Sequence, residues 1–119
     1  MHSAGGGSAL CTTPADFVRM GDAEVQKLVT GIKASPAWKR GRNAIVVVWD
    51  ENDYEWNQPN QVVMLVETNY AQNGKASQNY YDHYSLLRTL EAGFGLPCLN
   101  HACDSTSVVM SDMFGFNDH

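Results

Sequence analysis

The feature that most constrains the fold of this chain is an apolar run that ends abruptly in carboxylates. Residues Ala44 to Val48 are all aliphatic, three of them valine, and Trp49 follows. A short continuous run rich in β-branched residues is typical of a strand covered on both faces in a parallel α/β sheet. In open α/β sheets ligands bind beyond the carboxyl ends of such strands. We therefore expect a functional site in the acidic cluster that comes next: Asp50, Glu51, Asn52 and Asp53.

Asp50 and Glu51 are the leading candidates for metal ligands. Adjacent carboxylates repel each other unless a cation or hydrogen-bond donors compensate their charge. Divalent cations bind carboxylate oxygens of this kind. The alternative is a solvated acidic turn in which Asp50 caps the local backbone. We interpret Asp53 as a loop residue.

Composition and charge limit the classes of partner. The 119 residues are 44% hydrophobic and 18% charged, which fits one folded domain. The net charge of −5 and the lack of a Lys/Arg patch argue against a nucleic-acid partner. No apolar run approaches the ~20 residues that span a bilayer. Residues 1–11 have neither the charged nor the apolar region of a signal peptide, so none is predicted in this chain.

A helix is predicted before the apolar run. Asp22 is its candidate N-cap, and the helix should end at Ser35-Pro36, because a residue before proline is disfavoured in the α region. Its apolar positions are spaced i, i+3, i+4 and i+7, as in an amphipathic helix: Val25, Leu28, Val29 and Ile32.

Further elements are predicted after the acidic cluster. Residues 61–67 read as a second apolar strand, and a loop over 68–78 leads towards a helix. Ser85 is interpreted as the N-cap of that helix and not as a nucleophile. A short helix is predicted over 108–114. Two strands cannot complete a doubly wound sheet, so an incomplete α/β domain is expected. The apolar stripe of the helix after Ser85 should consist of Leu86, Leu87, Leu90 and Phe94.

His83 stands just before this helix and is the third candidate site residue. An imidazole there could be a metal ligand or a general acid, since its ordinary pKa lies near neutral pH. Asp82 could orient the ring as a neighbouring carboxylate. The alternative is a histidine at a helix start that is hydrogen-bonded to a neighbour.

Cys98, His101 and Cys103 suggest a zinc site. Their spacing is shorter than in the usual structural zinc sites, and no fourth ligand is evident. A local disulfide between the two cysteines, or a pair of buried thiols, is the preferred interpretation.

Four motifs then stand in order along the chain: WDEND at 49–53, NQVV at 60–63, YDHYSLLRTLE at 81–91 and GFGLP at 93–97. In this order they resemble the C-terminal part of the phosphoesterase family. That family lies within the alkaline-phosphatase-like superfamily and includes bacterial phospholipases C and AcpA-type acid phosphatases. The resemblance implies a partial alkaline-phosphatase-like α/β fold, with mainly parallel strands flanked by helices.

The resemblance also implies a function and a metal site. Hydrolysis of a phosphate ester by a metal-assisted Ser/Thr nucleophile is expected, with a phosphomonoester or a phospholipid as substrate. Asp50 and Glu51 match the family's paired acidic metal ligands, and His83 matches the histidine of a Tyr/Phe-Asp-His-Thr/Tyr-Ser motif. Glu51 replaces the histidine usual in the superfamily, which favours one divalent metal ion, of unknown identity, over two zinc ions.

The family's N-terminal half, which carries the nucleophile and an acidic-Asn metal motif, has no counterpart in this sequence. We therefore expect a flexible start at 1–12, the C-terminal part of a phosphoesterase domain at 13–116 and a tail at 117–119. By resemblance, the location is extracellular or periplasmic. The alternative is a non-catalytic fragment or module that binds a partner through exposed apolar surface.

Overall fold

The structure, a computed structural model, describes residues 12–52 and 59–115. The chain divides into two units, Met1–Leu65 and Val66–His119. No helix in the described ranges is long and apolar enough to cross a membrane. Helices and strands both occur, as expected for an α/β chain, in the order α1 Pro14–Ala34, β1 Ala44–Val48, β2 Met64–Thr68, α2 His83–Gly93, a 3₁₀ helix Asn100–Cys103 and α3 Ser111–Phe114.

Helix α1 begins earlier than the sequence pattern predicts. Thr13 is its N-cap and forms a capping box with Asp16, in which each backbone amide donates to the other residue's side chain, at 3.3 and 3.1 Å. Pro14 occupies the first turn, where its missing N–H costs nothing. Asp22 therefore lies inside the helix, and its prediction as N-cap is wrong. Ser35 is the C-cap, which confirms the predicted end.

The sheet of the described residues has two strands, β1 and β2. β1 matches the predicted apolar run, whereas β2 begins at Met64, later than predicted. The amide of Trp49, after β1, donates to the carbonyl of Val63, before β2, at 3.1 Å, so the pair runs antiparallel. The mainly parallel sheet is therefore not confirmed. An apolar run does not determine strand direction. The predicted cover on both faces of β1 is also wrong, since its residues are half-buried to exposed.

Helix α2 has a different N-cap from the predicted one. The carboxylate of Asp82 accepts the amide of Ser85 at 2.9 Å, and the amide of Asp82 donates to the Ser85 hydroxyl at 3.4 Å. The helix therefore begins after Asp82, with His83 as its first residue, and Ser85 is a buried residue of the first turn. The prediction of Ser85 as N-cap is wrong. A serine followed by leucines fits the N-cap position of a helix and also its third position, so the sequence alone does not distinguish the two.

The predicted apolar stripe of α2 is exposed at three of its four positions, and Leu86 is half-buried. Leu87, Leu90 and Phe94 are 37%, 43% and 79% exposed. The buried positions of α2 carry polar side chains instead: Ser85, Thr89 and Glu91. Amphipathic spacing thus predicts the helix correctly, but in this structure its apolar side does not face a core.

Buried apolar residues of the described ranges all lie in the second unit: Ala102, Met110 and Phe114. The Thr89 hydroxyl donates to the carbonyl of Ser85 at 2.7 Å and accepts the amide of Met110 at 2.9 Å, so it joins α2 to the segment before α3. Helix α3 is shorter than predicted and ends at Gly115, whose φ of 65° suits glycine. A Cβ at Gly115 would also clash with Ala71.

Candidate functional site

The acidic pair lies at the carboxyl end of β1. Asp50 and Glu51 follow the strand after one residue, Trp49, and both are exposed. Asp50 Oδ1 accepts the backbone amide of Glu51 at 3.0 Å, so one of its oxygens caps the turn. The local cap considered for Asp50 is therefore present. A cap of this kind uses one oxygen of a carboxylate that has two.

The next residue fixes the backbone of the acidic pair. The amide of Asn52 donates to the Asn60 side-chain oxygen at 2.8 Å, and the Asn52 side chain donates to the carbonyl of Pro59 at 3.2 Å. Asn60 is the first residue of the NQVV motif, and this contact was missed by sequence reasoning. An asparagine in each of two neighbouring motifs was the available signal, because asparagine side chains often hydrogen-bond backbone in turns. Asp53 lies outside the described residues.

The carboxylate oxygens of the acidic pair are suitable ligands for a divalent metal ion. Asp50 and Glu51 offer the oxygen ligands that such ions prefer, at an exposed strand end. Two carboxylates do not complete a coordination shell of six or more oxygens. Across the described ranges, no group of three or more His, Cys, Asp or Glu side chains is placed to hold a metal.

His83 is the first residue of α2 and is exposed. Its neighbour Asp82 uses its carboxylate to cap the helix, since the Ser85 amide and hydroxyl both donate to Asp82 Oδ1, at 2.9 and 3.1 Å. The orientation of His83 by Asp82 therefore stays a prediction. His83 belongs to the second unit and the acidic pair to the first. A joint site of these three residues stays a prediction as well.

Cys98 and Cys103 form a disulfide with a Cα–Cα distance of 5.2 Å. The preferred interpretation of this cysteine pair is thereby confirmed. The zinc site that would use both cysteines and His101 is wrong, because disulfide sulfurs are not thiolate ligands. The His101 ring instead lies 3.0 Å from Asp104 Oδ2 and packs edge-on against Tyr84, with ring centroids 5.4 Å apart.

The second unit also holds a polar cluster that the sequence analysis did not single out, here called the Asp112 cluster: Ser77, Asn79, Tyr81 and Asp112. The Tyr81 hydroxyl donates to Asp112 Oδ1 at 2.6 Å. The Ser77 hydroxyl and the side-chain amide of Asn79 donate to Asp112 Oδ2 at 2.6 and 3.0 Å. The cluster borders an open pocket of about 410 Å³, which Tyr80, Val108, Val109 and Ser111 also line.

These contacts shift two pKa values in opposite directions. Loss of hydration raises the pKa of Tyr81, and its hydrogen bond to the Asp112 carboxylate raises it further. Loss of hydration also acts to raise the pKa of Asp112, but the hydrogen bonds from Ser77, Tyr81 and Asn79 outweigh it, so that pKa is lowered. Near neutral pH the cluster is therefore one carboxylate held by three neutral donors.

Comparison with known proteins identifies one family. The model of the Phosphoesterase family matches residues 11–97, well over half of the chain. The matched range contains β1, the acidic pair and all of α2. Searches of curated proteins and of solved structures found no significant match.

Proposed function

Because the chain belongs to the phosphoesterase family, we propose that it forms part of a hydrolase of phosphate esters, either an acid phosphatase or a phospholipase C. The observation that supports this most is the acidic pair Asp50-Glu51, which stands at the end of β1 and inside the matched range. Two adjacent carboxylates at an exposed strand end supply the oxygen ligands that a divalent ion prefers.

In this proposal Asp50 and Glu51 hold one divalent metal ion. When bound, the ion supplies charge neutralisation at the phosphoryl group and activation of the nucleophile. Asp50 would bind through the oxygen that does not cap the amide of Glu51. Asn52 and Asn60 would keep the ligands in place, as hydrogen-bonded neighbours of metal ligands commonly do.

His83 has the second role. Its imidazole would donate a proton to the leaving oxygen of the ester, or would contact the phosphoryl oxygens, both of which suit a group that titrates near neutral pH. Its exposure leaves room for such a contact. The first turn that carries it is fixed by the reciprocal bonds of Asp82 and Ser85.

The Ser/Thr nucleophile would come from a part of the protein outside these 119 residues. Ser85 and Thr89 are in the matched range but are buried, and both are hydrogen-bonded within the helix and its cap. Neither can attack phosphorus in that arrangement. The remaining metal ligands would come from the same absent part.

The proposed location is extracellular or periplasmic, as the family resemblance implies. The Cys98–Cys103 disulfide supports this location, because disulfides persist mainly in oxidising compartments. Titration of free thiols in protein isolated from its native compartment tests it. Free Cys98 and Cys103 in native protein would contradict it.

The experiment for the proposed activity compares two exposed aspartates in the full-length polypeptide that carries these residues. Asp50→Asn should abolish most hydrolysis of a phosphomonoester and of a phospholipid, whereas Asp22→Asn, in the middle of α1, should leave both rates unchanged. The preferred substrate then decides between phosphatase and phospholipase. Equal rates for Asp50→Asn and the unaltered protein would contradict the proposal.

A second candidate function is a non-catalytic module that binds a partner. The exposed apolar stripe of α2 favours it, since large apolar patches on a surface commonly mark association sites. The same assay discriminates: a full-length polypeptide that hydrolyses neither ester, with or without added divalent metal, supports the module.

A further inference from the structure

We propose that the Asp112 cluster positions His83, by fixing the loop that leads into α2, and that Asp112 is therefore a positioning residue of the phosphoesterase site. The proposal rests on the proposed function for what His83 does, and on the contacts of the second unit for how His83 is held. Asp112 lies beyond the range that the family model matches, residues 11–97.

One carboxylate holds three positions of the preceding loop. Asp112 accepts hydrogen bonds from Tyr81 on one oxygen and from Ser77 and Asn79 on the other, at 2.6, 2.6 and 3.0 Å. The donors stand at positions 77, 79 and 81, around a bend at residue 79. A single acceptor can therefore fix the whole stretch from 77 to 81. Hydrogen bonds to an ionised acceptor are about twice as strong as neutral ones.

The fixed loop runs directly into the helix start. Tyr81 is followed by the N-cap Asp82 and then by His83. The Asp82 carboxylate is already committed to the amide of Ser85. Only Asp82 separates His83 from Tyr81, which is bonded to Asp112. A displacement of the loop would therefore displace His83 as well.

A second bond attaches the segment before α3 to α2 itself. The amide of Met110 donates to the Thr89 hydroxyl at 2.9 Å, and both residues are buried. The segment from 110 to 112 is thus attached to α2 at one end and to the loop before α2 at the other. The segment before α3 and the start of α3 therefore hold both the loop before α2 and the body of the helix.

The pocket beside the cluster has a simpler explanation than a ligand site. Both oxygens of Asp112 are used by donors of the chain itself, and Asn79 also donates to the Tyr81 hydroxyl at 3.2 Å. The Asn79, Tyr81 and Asp112 side chains in the pocket wall are therefore bonded to one another. Their role is to hold the loop.

The test is amide hydrogen exchange, measured by NMR on the 119-residue chain. Asp112→Asn replaces one acceptor oxygen by a donor, and Tyr81→Phe removes one hydroxyl and leaves the fold otherwise intact. Both variants should speed exchange of the Ser85 and Leu86 amides, which bond to Asp82, by about tenfold or more relative to the Phe94 amide at the far end of α2. The His83 ring resonances should shift in both variants.

Two comparisons make the result specific. The double variant should speed exchange by less than the product of the two single effects, because both substitutions weaken the same bonded cluster. Thr106→Ala, at an exposed residue of the same unit, should have no effect at Ser85 and Leu86. Unchanged exchange in Tyr81→Phe and Asp112→Asn, or an equal change in Thr106→Ala, overturns the proposal.

A second arm separates this inference from the proposed function. In the full-length polypeptide, Asp112→Asn should lower kcat for phosphate-ester hydrolysis about tenfold, with KM nearly unchanged, as loss of orientation does. Faster exchange without any change in kcat would retain the positioning of the loop but overturn the role of Asp112 in catalysis. Hydrolysis that is insensitive to Asp50→Asn would contradict the proposed function alone.

Discussion

The backbone amide of Asn52 donates a 2.8 Å hydrogen bond to the side-chain oxygen of Asn60. This bond joins the residue after the acidic pair to the NQVV motif, and the bond from the Asn52 side chain to the carbonyl of Pro59 reinforces it. The backbone that carries Asp50 and Glu51 is therefore held from both sides, by β1 before it and by Asn60 after it.

Asn60→Ala should weaken metal binding without removing a metal ligand. The substitution leaves the Asn52 amide without its acceptor, so the carboxylates lose their fixed backbone. Groups that orient metal ligands typically contribute about 10- to 100-fold in affinity. Calorimetric titration of the full-length polypeptide with Mn²⁺ or Ca²⁺ measures it, with Gln61→Ala, an exposed neighbour, as control. Equal affinities of Asn60→Ala and the control would show that Asn60 does not support the site.

The sequence predicts the positions of the helices and strands better than strand direction or burial. β1 and the end of α1 at Ser35 are found where the patterns place them, because a β-branched run and a Ser-Pro stop are local signals. Strand direction is not local, since it depends on how the connection after Trp49 returns. The same holds for burial: the spacing of Leu87 and Leu90 fixes one side of α2, but only tertiary structure decides whether that side is covered.

The candidate site was likewise only partly predictable from the sequence. Asp50, Glu51 and His83 could be proposed from residue type and position, because chemistry is carried by side chains at element ends. The contact between Tyr81 and Asp112 could not be predicted, since the two residues are thirty-one positions apart and Asp112 belongs to no motif. Contacts of that kind emerge only once the chain is folded.

Ser85→Ala should lower stability without removing a reacting group. Asp82 still caps the backbone amide of residue 85, but the buried hydroxyl and its bonds with Asp82 are lost, which costs about 1 kcal/mol. Thermal unfolding of the 119-residue chain measures the loss, with Ser105→Ala, an exposed serine, as control. In the full-length polypeptide below its unfolding temperature, hydrolysis should persist. A complete loss of hydrolysis by folded Ser85→Ala would contradict a purely structural role of Ser85.

The stability provided by the Asp112 cluster should depend on pH at both extremes. The pKa of Asp112 is below its ordinary value of 3.8 in the folded chain, so its contribution is complete above pH 3.8 and is lost as the pH falls through the folded pKa. The pKa of Tyr81 is above its ordinary value of 10.0, so its contribution is complete below pH 10.0 and is lost as the pH rises through the folded pKa.

Thermal unfolding from pH 2 to pH 11 checks this dependence. The difference in Tm between the unaltered chain and Asp112→Asn should be constant near neutral pH and should shrink at both ends. A difference that persists unchanged at pH 2 would mean that the charge of Asp112 does not stabilise the cluster.

Glu91→Met should raise stability. Glu91 is only 7% exposed, and within the described ranges its Oε2 atom is buried without a hydrogen-bond partner. A buried polar atom of this kind costs about 1–3 kcal/mol, which an apolar side chain of similar length removes. Chemical denaturation measures the gain, with Glu24→Met, on the exposed surface of α1, as control. A loss of stability in Glu91→Met would show that the carboxylate has a partner that stabilises the fold.

The central claim is that Asp50 and Glu51 hold the metal ion of a phosphate-ester hydrolase. Steady-state hydrolysis by the full-length polypeptide, measured across a titration of divalent metal, tests it most directly. Asp50→Asn should lower kcat/KM by roughly a hundredfold or more at limiting metal and should shift half-activation to higher metal concentration. The same kcat/KM and the same metal dependence in Asp50→Asn and the unaltered protein would contradict the claim.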